Sequence, residues 1–500
     1  MLKIKTINTM KVHYLLIILA VFNTSCQQPK KQQEQKKPNV LFIAVDDLRL
    51  QANVYGQKQM KTPNLDRLGS EGVVFERAYC SVPVCGASRA SLLSGVRPTS
   101  TRFVNYYTRK DTDFPNYPSL PKYFKDNGYT TISNGKIYHH VDDDKEAWSE
   151  DPYIPNPGLG WQNYLSEESK KIVEKNYAIQ KAKMKELSET YTDAEDRMIK
   201  GPAWECIDVE DNAYPDGMLA DKTISDMRRL TEKGEPFFMA VGFWKPHLPF
   251  VAPKKYWDLY DEKDIVLADN PYKPINAPQA AMHVWGELRN MYDNMPQEGN
   301  VSDSIARKLI HGYYACVSYS DAQIGKLLDE LDRLGIAENT IVVLWGDHGW
   351  HLGEHTLWCK HCNFDRVMNA PLIVRASGKE KGKTSTSITE FIDIYPSLCD
   401  LCNLPIPEHL DGTSFAPVLE NPTVKVKNAA FVKYHGAETV VTERYNYTEF
   451  LNNEGIVRTN MLYDLQEDPK ENENISQKDE NKELVEKLSK LLSEVKQTKN

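Results

Sequence analysis

Three near-continuous apolar runs punctuate the chain, and each ends in polar side chains. Asn39 to Val45 runs into Asp46-Asp47, Phe237 to Phe243 into Trp244-Lys245-Pro246-His247, and Thr340 to Gly346 into Asp347-His348-Gly349. Runs without polar alternation predict strands buried on both faces, as in a parallel sheet covered by helices. Polar residues at the C-terminal ends of such strands lie where open α/β sheets bind ligands. Between the runs lie helical patterns. Ser304 to Leu334 carries Leu309, Tyr313, Val317, Ile324, Leu327, Leu328 and Leu331 near a 3.6-residue period and stops at Gly335, predicting a long amphipathic helix. Ser88 to Leu93 predicts a helix with Cys85 at or just before its N-terminus, and Thr389 to Leu404 another. Ser166 to Lys200 is so highly charged that it predicts a surface helical insertion with a solvated face.

This alternation gives the fold class: α/β, with a large, mostly parallel central sheet sandwiched by helices. After about Pro422 the pattern changes. Asn428 to Tyr434, Glu438 to Arg444 and Met461 to Leu465 predict short antiparallel strands, and Glu483 to Val495 an amphipathic terminal helix. The expected division is a main domain over 38–421 and a smaller C-terminal subdomain over 422–500.

The N-terminus adds a targeting signal. Lys3, Lys5 and Lys11 precede the apolar run Leu15 to Phe22, which is too short for an ordinary transmembrane helix. Asn23-Thr24-Ser25-Cys26 reads as a loose bacterial lipobox, making 1–26 a signal peptide and Cys26 the lipidated first residue of the mature chain. Met10 is an alternative start. The Gln/Lys-rich stretch 27–37 is expected to be a flexible tether. The expected location is the bacterial periplasm or cell envelope, lipid-anchored to a membrane, with free periplasmic release as the alternative.

Over 500 residues, 41% apolar and 26% charged positions match a globular protein. A net charge of −9 argues against nucleic acid as a partner, which would call for a broad basic surface. It leaves room for a local basic cleft that draws in an anionic substrate.

Candidate chemistry sharpens the picture. Asp46, Asp47, Asp347 and His348 bring three carboxylates and an imidazole to two strand ends. Such a set suits Ca²⁺ or Mg²⁺ better than zinc, because clustered carboxylates repel one another unless a cation lies between them. Nine cysteines include two C-x-x-C pairs, Cys359/Cys362 and Cys399/Cys402. Zinc is not expected, because spacing alone does not bring the pairs together and the second pair falls on core helix positions. A local disulfide stays open in an oxidising compartment.

The run Val84-Cys85-Gly86-Ala87-Ser88-Arg89, followed by Ala90 to Gly95, resembles the maturation signature of the sulfatases, C-x-[PA]-S-R. Further motifs join it: Asn134-Gly135-Lys136-Ile137-Tyr138-His139, Lys245-Pro246-His247, Gly346-Asp347-His348-Gly349-Trp350, Gly353-Glu354-His355 leading to Lys360, and Leu462-Tyr463-Asp464-Leu465. Together they resemble the iduronate-2-sulfatase-like branch of that family, within the alkaline-phosphatase-like superfamily.

The resemblance implies that a maturation enzyme oxidises Cys85 to formylglycine. It also implies a Ca²⁺ ion, with Mg²⁺ second, held by Asp46, Asp47, Asp347, His348 and the modified Cys85. By the same resemblance Arg89 and Lys136 position the hydrated aldehyde, one hydroxyl of which attacks sulfur. His247 or Lys360 protonates the departing sugar oxygen, and His139 takes the proton of the second hydroxyl. The implied substrate is a sulfated oligo- or polysaccharide, with a 2-O-sulfated uronate leading. Gly86 and Trp350 are expected to shape the sugar pocket and Arg102 to meet a substrate carboxylate. Ala87, where many relatives carry proline, narrows which maturation enzyme fits. The alternatives are a phosphodiester or phosphonate monoester hydrolase of the same superfamily, and a glycan-binding lipoprotein whose site is never matured.

Overall fold

The computed structural model describes residues 37–500 except 157, 159–161, 187–198, 284–285, 298 and 498–500. The signal peptide, Cys26 and nearly all of the tether lie outside the described residues.

Seven strands build the central sheet: β1 (Asn39–Val45), β2 (Val73–Phe75), β3 (Thr130–Gly135), β4 (Phe237–Phe243), β5 (Thr340–Gly346), β6 (Leu372–Arg375) and β7 (Lys383–Ser385), in the order β7-β2-β6-β5-β1-β4-β3. β1 pairs in parallel with β4 on one side and β5 on the other, whereas β6 runs antiparallel to both its neighbours. All three apolar runs therefore become the central strands, and their polar tails emerge along one sheet edge.

The side-chain alternation of β1 fills two cores. Leu41, Ile43 and Val45 pack on one face with the helices Pro63–Glu71, Pro215–Lys233 and Asp303–Arg333. Val40, Phe42 and Ala44 pack on the other face with the helices Cys85–Ser94, Leu120–Asp126 and Ile394–Leu401. A strand covered on both sides has no place for a polar side chain until its end, which is why the run is unbroken. The charged insertion forms the helix Glu167–Glu186, which lacks a wide apolar face.

Two differences from the sequence expectation have local causes. The helix expected over Thr389–Leu404 is shorter: Glu390 and Asp393 form a reciprocal capping box over a single 3₁₀ turn, and the α-helix spans only Ile394–Leu401. The C-terminal region holds four antiparallel strands, Ala429–Tyr434, Ala437–Thr442, Tyr445–Leu451 and Val457–Asp464, in sequential order. The third was not expected, because its inward positions include Asn446 and Thr448. The terminal helix Lys482–Val495 packs Leu488 and Leu492 onto this sheet. The described residues from Pro38 onward form one compact unit.

Candidate active site

The site begins at the ends of β1 and β5. Asp46, Asp47, Asp347 and His348 are all fully buried there. Consecutive residues of an extended strand point to opposite faces, which would send Asp46 and Asp47 apart. Asp47 instead adopts a left-handed conformation, φ 59°. Its backbone N–H donates to Asp347 Oδ1 at 3.0 Å, stitching the two strand ends together.

Three cations neutralise this floor. Arg89, fully buried on the helix Cys85–Ser94, donates to Asp347 Oδ2 at 2.8 Å and Asp46 Oδ1 at 3.3 Å, and also to the Lys136 carbonyl. Lys136 follows the end of β3 and pairs with Asp46. Its backbone lies against Gly242 of β4 so closely that a Cβ there would collide with the Lys136 carbonyl. Lys360 donates to both oxygens of Asp47 at 2.9 and 3.0 Å, and its ammonium sits over the Trp350 ring, 4.9 Å from the centroid.

Burial and the neighbouring charges drive the two adjacent acids in opposite directions. Burial tends to raise Asp46, but the Lys136 ammonium, with His247 and Arg89, holds it well below the usual carboxylate range. Burial pushes Asp47 well above that range; Lys360 opposes this, and Asp46, Glu287 and Asp347 add to it. His348 gives its Nδ1–H to the Gly349 carbonyl at 3.0 Å, and its buried Nε2 has no hydrogen-bond partner among the described residues. Nε2 faces Asp47 Oδ1 at 3.5 Å and Asp347 Oδ1 at 3.8 Å. Two buried carboxylates gathered at one imidazole nitrogen form an arrangement that a cation stabilises. The donor set, carboxylate oxygens with one imidazole, fits a hard divalent ion.

Cys85 opens its helix beside this floor, with Sγ 3.2 Å from His139 Nδ1. Burial opposes its ionisation, but Lys136, His348 and Lys360 outweigh it and draw the thiol below its ordinary range. Burial, reinforced by the Lys136 charge, lowers His139 to about 3. His247 is likewise lowered to about 3, by burial and then by Lys360. Its Nδ1–H goes to the Leu248 carbonyl at 2.6 Å, leaving Nε2 toward Glu287 Oε1 at 3.4 Å. Two acids, Asp47 and Glu287, hold Lys360 charged against the cost of burial.

The sequence-predicted residues Asp46, Asp47, Cys85, Arg89, Lys136, His139, His247, Asp347, His348 and Lys360 thus converge. Three others stand differently. Gly86 does not line the cavity; a Cβ there would come within 2.7 Å of the Tyr106 backbone, so it is the place where the chain carrying Tyr106 and Tyr107 approaches the helix. Trp350 is 1% exposed and lies beneath Lys360, outside the cavity. Arg102 donates to the Arg97 carbonyl and lies over the Phe103 and Phe114 rings, so its guanidinium is spent on packing rather than on the cavity.

Sequence reasoning missed Glu287, which contacts both His247 and Lys360 from a five-residue helix, Glu287–Met291, with no periodic signal. It also missed Asp216, which accepts the backbone N–H groups of Trp244 and Lys245 and so fixes the loop that carries His247.

A cavity of about 1440 Å³ opens above this floor. Cys85, His139, His247, Glu287 and Lys360 lie at its base, and Tyr107, His435, Phe450 and Arg458 are among its walls.

The chain is similar to known proteins over most of its length. The family model described as Sulfatase matches residues 38–404, and the one described as N-sulphoglucosamine sulphohydrolase, C-terminal, matches residues 353–498. The Homo sapiens iduronate 2-sulfatase is 32% identical over 424 residues, covering 75% of this chain and 71% of that protein. A sulfatase of Formosa agariphila is 30% identical over 496 residues, covering 97% and 92%. Among solved structures, one in complex with its substrate D-glucosamine-2-N,6-O-disulfate superposes with a TM-score of 0.71 at 21% identity, covering 92% of this chain and 97% of that one. A phosphonate monoester hydrolase of Silicibacter pomeroyi gives 0.69 at 20% identity, covering 92% and 95%. At these identities the two structures speak for the fold alone.

Proposed function

Because the chain belongs to the sulfatase family, and is therefore a sulfuric ester hydrolase, we propose that it removes sulfate from a sulfated saccharide. A 2-O-sulfated uronate of glycosaminoglycan type is the leading substrate. The relatives named iduronate 2-sulfatase support this choice, as does a solved structure of the same fold described as a 2-O GAG sulfatase. The cavity, about 1440 Å³, also exceeds the roughly 300–1,000 Å³ of ordinary small-ligand pockets. The observation that carries the reading is the meeting of Cys85 with the acid-and-lysine floor at the base of that cavity.

The residues fit two groups that the chain would acquire. Four carboxylates (Asp46, Asp47, Asp347, Glu287) face three fixed cations (Arg89, Lys136, Lys360). A divalent cation would turn that one-unit deficit into a one-unit excess, suited to an incoming sulfate. Calcium, with magnesium second, would be held by Asp46, Asp47, Asp347, His348 and the side chain at position 85, supplying Lewis acidity at the sulfate oxygens. Formylglycine, made from Cys85 by a maturation enzyme, would supply an oxygen nucleophile in place of a thiol.

The chain's own residues do the rest. Arg89 and Lys136 orient the carboxylates and keep positive potential where sulfate charge arrives, without reorganisation during the reaction. His139 is unprotonated near neutral pH, and its Nδ1 stands close enough to position 85 to accept a proton from the side chain there. Lys360 holds its proton in the free site, whereas His247 is unprotonated at Nε2. Lys360 is therefore our choice for the group that delivers a proton to the departing sugar oxygen.

The chain's first 26 residues would export it and Cys26 would tether it to the envelope, with residues 38–421 carrying the chemistry and 422–500 completing the outer cavity wall. Replacing Cys26 with Ser should move the enzyme from the membrane fraction to the soluble periplasm.

The decisive experiment produces the chain with a maturation enzyme and assays free sulfate from defined sulfated oligosaccharides and from 4-methylumbelliferyl sulfate. Sulfate release that disappears in Cys85→Ala is expected. Hydrolysis of aryl phosphate or phosphonate esters faster than any sulfate ester would overturn the reading.

A further inference from the structure

The outer wall of the cavity contains an irregularity that its strands do not require. The last two C-terminal strands pair Phe450 with Thr459 and then Leu451 with Val457, so Arg458 is an extra residue extruded as a β-bulge. In a regular ladder Arg458 and Thr459 would face opposite sides of the sheet. Here both line the cavity, as do Phe450 and Leu451 on the partner strand. Bulges re-aim side chains in this way and are concentrated beside active sites.

What the bulge delivers is a guanidinium. Arg458 is exposed and, among the described residues, its side chain makes no ion pair or hydrogen bond. The other cation lining the cavity among the described residues, Lys360, is held by Asp47 and Glu287. Glu287 is also the one acid lining the cavity among the described residues, and it lies at the base. Among the described residues, no acidic side chain lines the wall beside Arg458. A free guanidinium in a concave, partly apolar surface concentrates anions, and its planar fork matches the oxygens of a carboxylate or sulfate.

We propose that Arg458 is a specificity-determining residue that receives a second anionic group, carboxylate or sulfate, on the saccharide whose sulfate ester lies at Cys85. This rests on the sulfatase reading and narrows it: the preferred substrate carries at least two negative charges, one at the floor and one at the wall.

The test uses full-length wild type, Arg458→Gln and Arg458→Lys, with 4-methylumbelliferyl sulfate as a substrate bearing a single anion. Inhibition constants are measured for a heparin-type disaccharide carrying a 2-O-sulfate, a carboxylate and a 6-O-sulfate. They are measured as well for its carboxyl-reduced form and its 6-O-desulfated form. The ratio of the disaccharide inhibition constant to the aryl sulfate KM should rise about ten- to a hundred-fold in Arg458→Gln, as expected for losing a charge-assisted contact. It should recover in part in Arg458→Lys, which keeps the charge without the fork. The modified disaccharide that erases the difference between wild type and variant identifies which anion Arg458 meets. An unchanged ratio overturns the inference, as does an equal loss on both ligands. A wild type that hydrolyses no sulfate ester overturns the sulfatase reading itself, a separate and distinguishable failure.

Discussion

The floor and the outer wall of one cavity are built by opposite rules. The floor stands on the ends of parallel strands, its acids are fully buried, and nearly every polar atom is committed to another. The wall comes from antiparallel hairpins: a turn with His435 at φ 47°, a bulge at Arg458, and across the opening Tyr107, which is 68% exposed. Chemistry at sulfur needs charges fixed to a fraction of an ångström, which strands buried on both faces supply. Recognition of a saccharide tolerates variation, and loops and sheet ends can change without disturbing the core.

The strongest way to break this contrast is to remove the centre of the floor. Cys85→Ala should lower sulfate release by about 10⁴-fold or more, in line with the loss of a nucleophile. Tyr107→Ala on the wall should raise saccharide KM only several-fold, the scale of one lost aromatic contact. Comparable losses in the two variants would erase the distinction.

Chelation comes next. Dialysis against EGTA should cut activity by about 10³-fold and lower Tm by several degrees, with calcium restoring more than magnesium. Full activity after exhaustive chelation would mean that the orphaned His348 Nε2 and the raised Asp47 have another explanation.

A third experiment divides the floor's own edge. Lys360→Ala should slow alkyl sugar sulfates by about 10²–10⁴-fold more than activated aryl sulfates, because only the poor leaving group needs a proton. His247→Ala should affect both classes more evenly. The reverse pattern would transfer the acid role to His247.

A smaller effect tests the join between helix and wall. Gly86→Ala pushes a Cβ to 2.7 Å from the Tyr106 backbone and should destabilise the fold by about 1–3 kcal/mol, read as a lower urea midpoint. An unchanged midpoint would show that the Tyr106–Tyr107 segment yields freely.

The gentlest test is pH. Burial lowers His283, on the wall, to about 3 and His355, behind the floor, to about 4, from an ordinary 6.5. Between those values the unfolded chain binds protons that the native chain refuses. The stability these two groups contribute is therefore fully present above about pH 6.5 and declines as pH falls toward 4. Thermal midpoints that hold level from pH 7 to 5 would contradict both shifts.

Legibility in the sequence followed the same division. Asp46, Asp47, Asp347 and His348 could be read because an unbroken apolar run marks a doubly covered strand, and the first polar residue after it marks the strand's end. Cys85, Arg89 and Lys136 could be read because their motifs carry them. Glu287 could not: it occupies a short helix where neither periodicity nor a motif applies. Arg102 and Trp350 show the converse hazard. Arg102 follows a motif and Trp350 ends one, yet the first turns to the Arg97 carbonyl and the second is buried under Lys360. The missed strand Tyr445–Leu451 presents Asn446 and Thr448 inward, where they bond Glu471 and Thr439, so its inner face looked polar.

The left-handed turn at Asp47 restricts which residues can stand at that position before any chemistry is considered. Glycine, asparagine and aspartate adopt that backbone readily, whereas β-branched or bulky residues resist it. Asparagine would keep the turn while removing one negative charge. The position therefore behaves as a three-letter dial: the backbone excludes most of the alphabet, and the few residues it accepts differ mainly in the charge they bring to the floor.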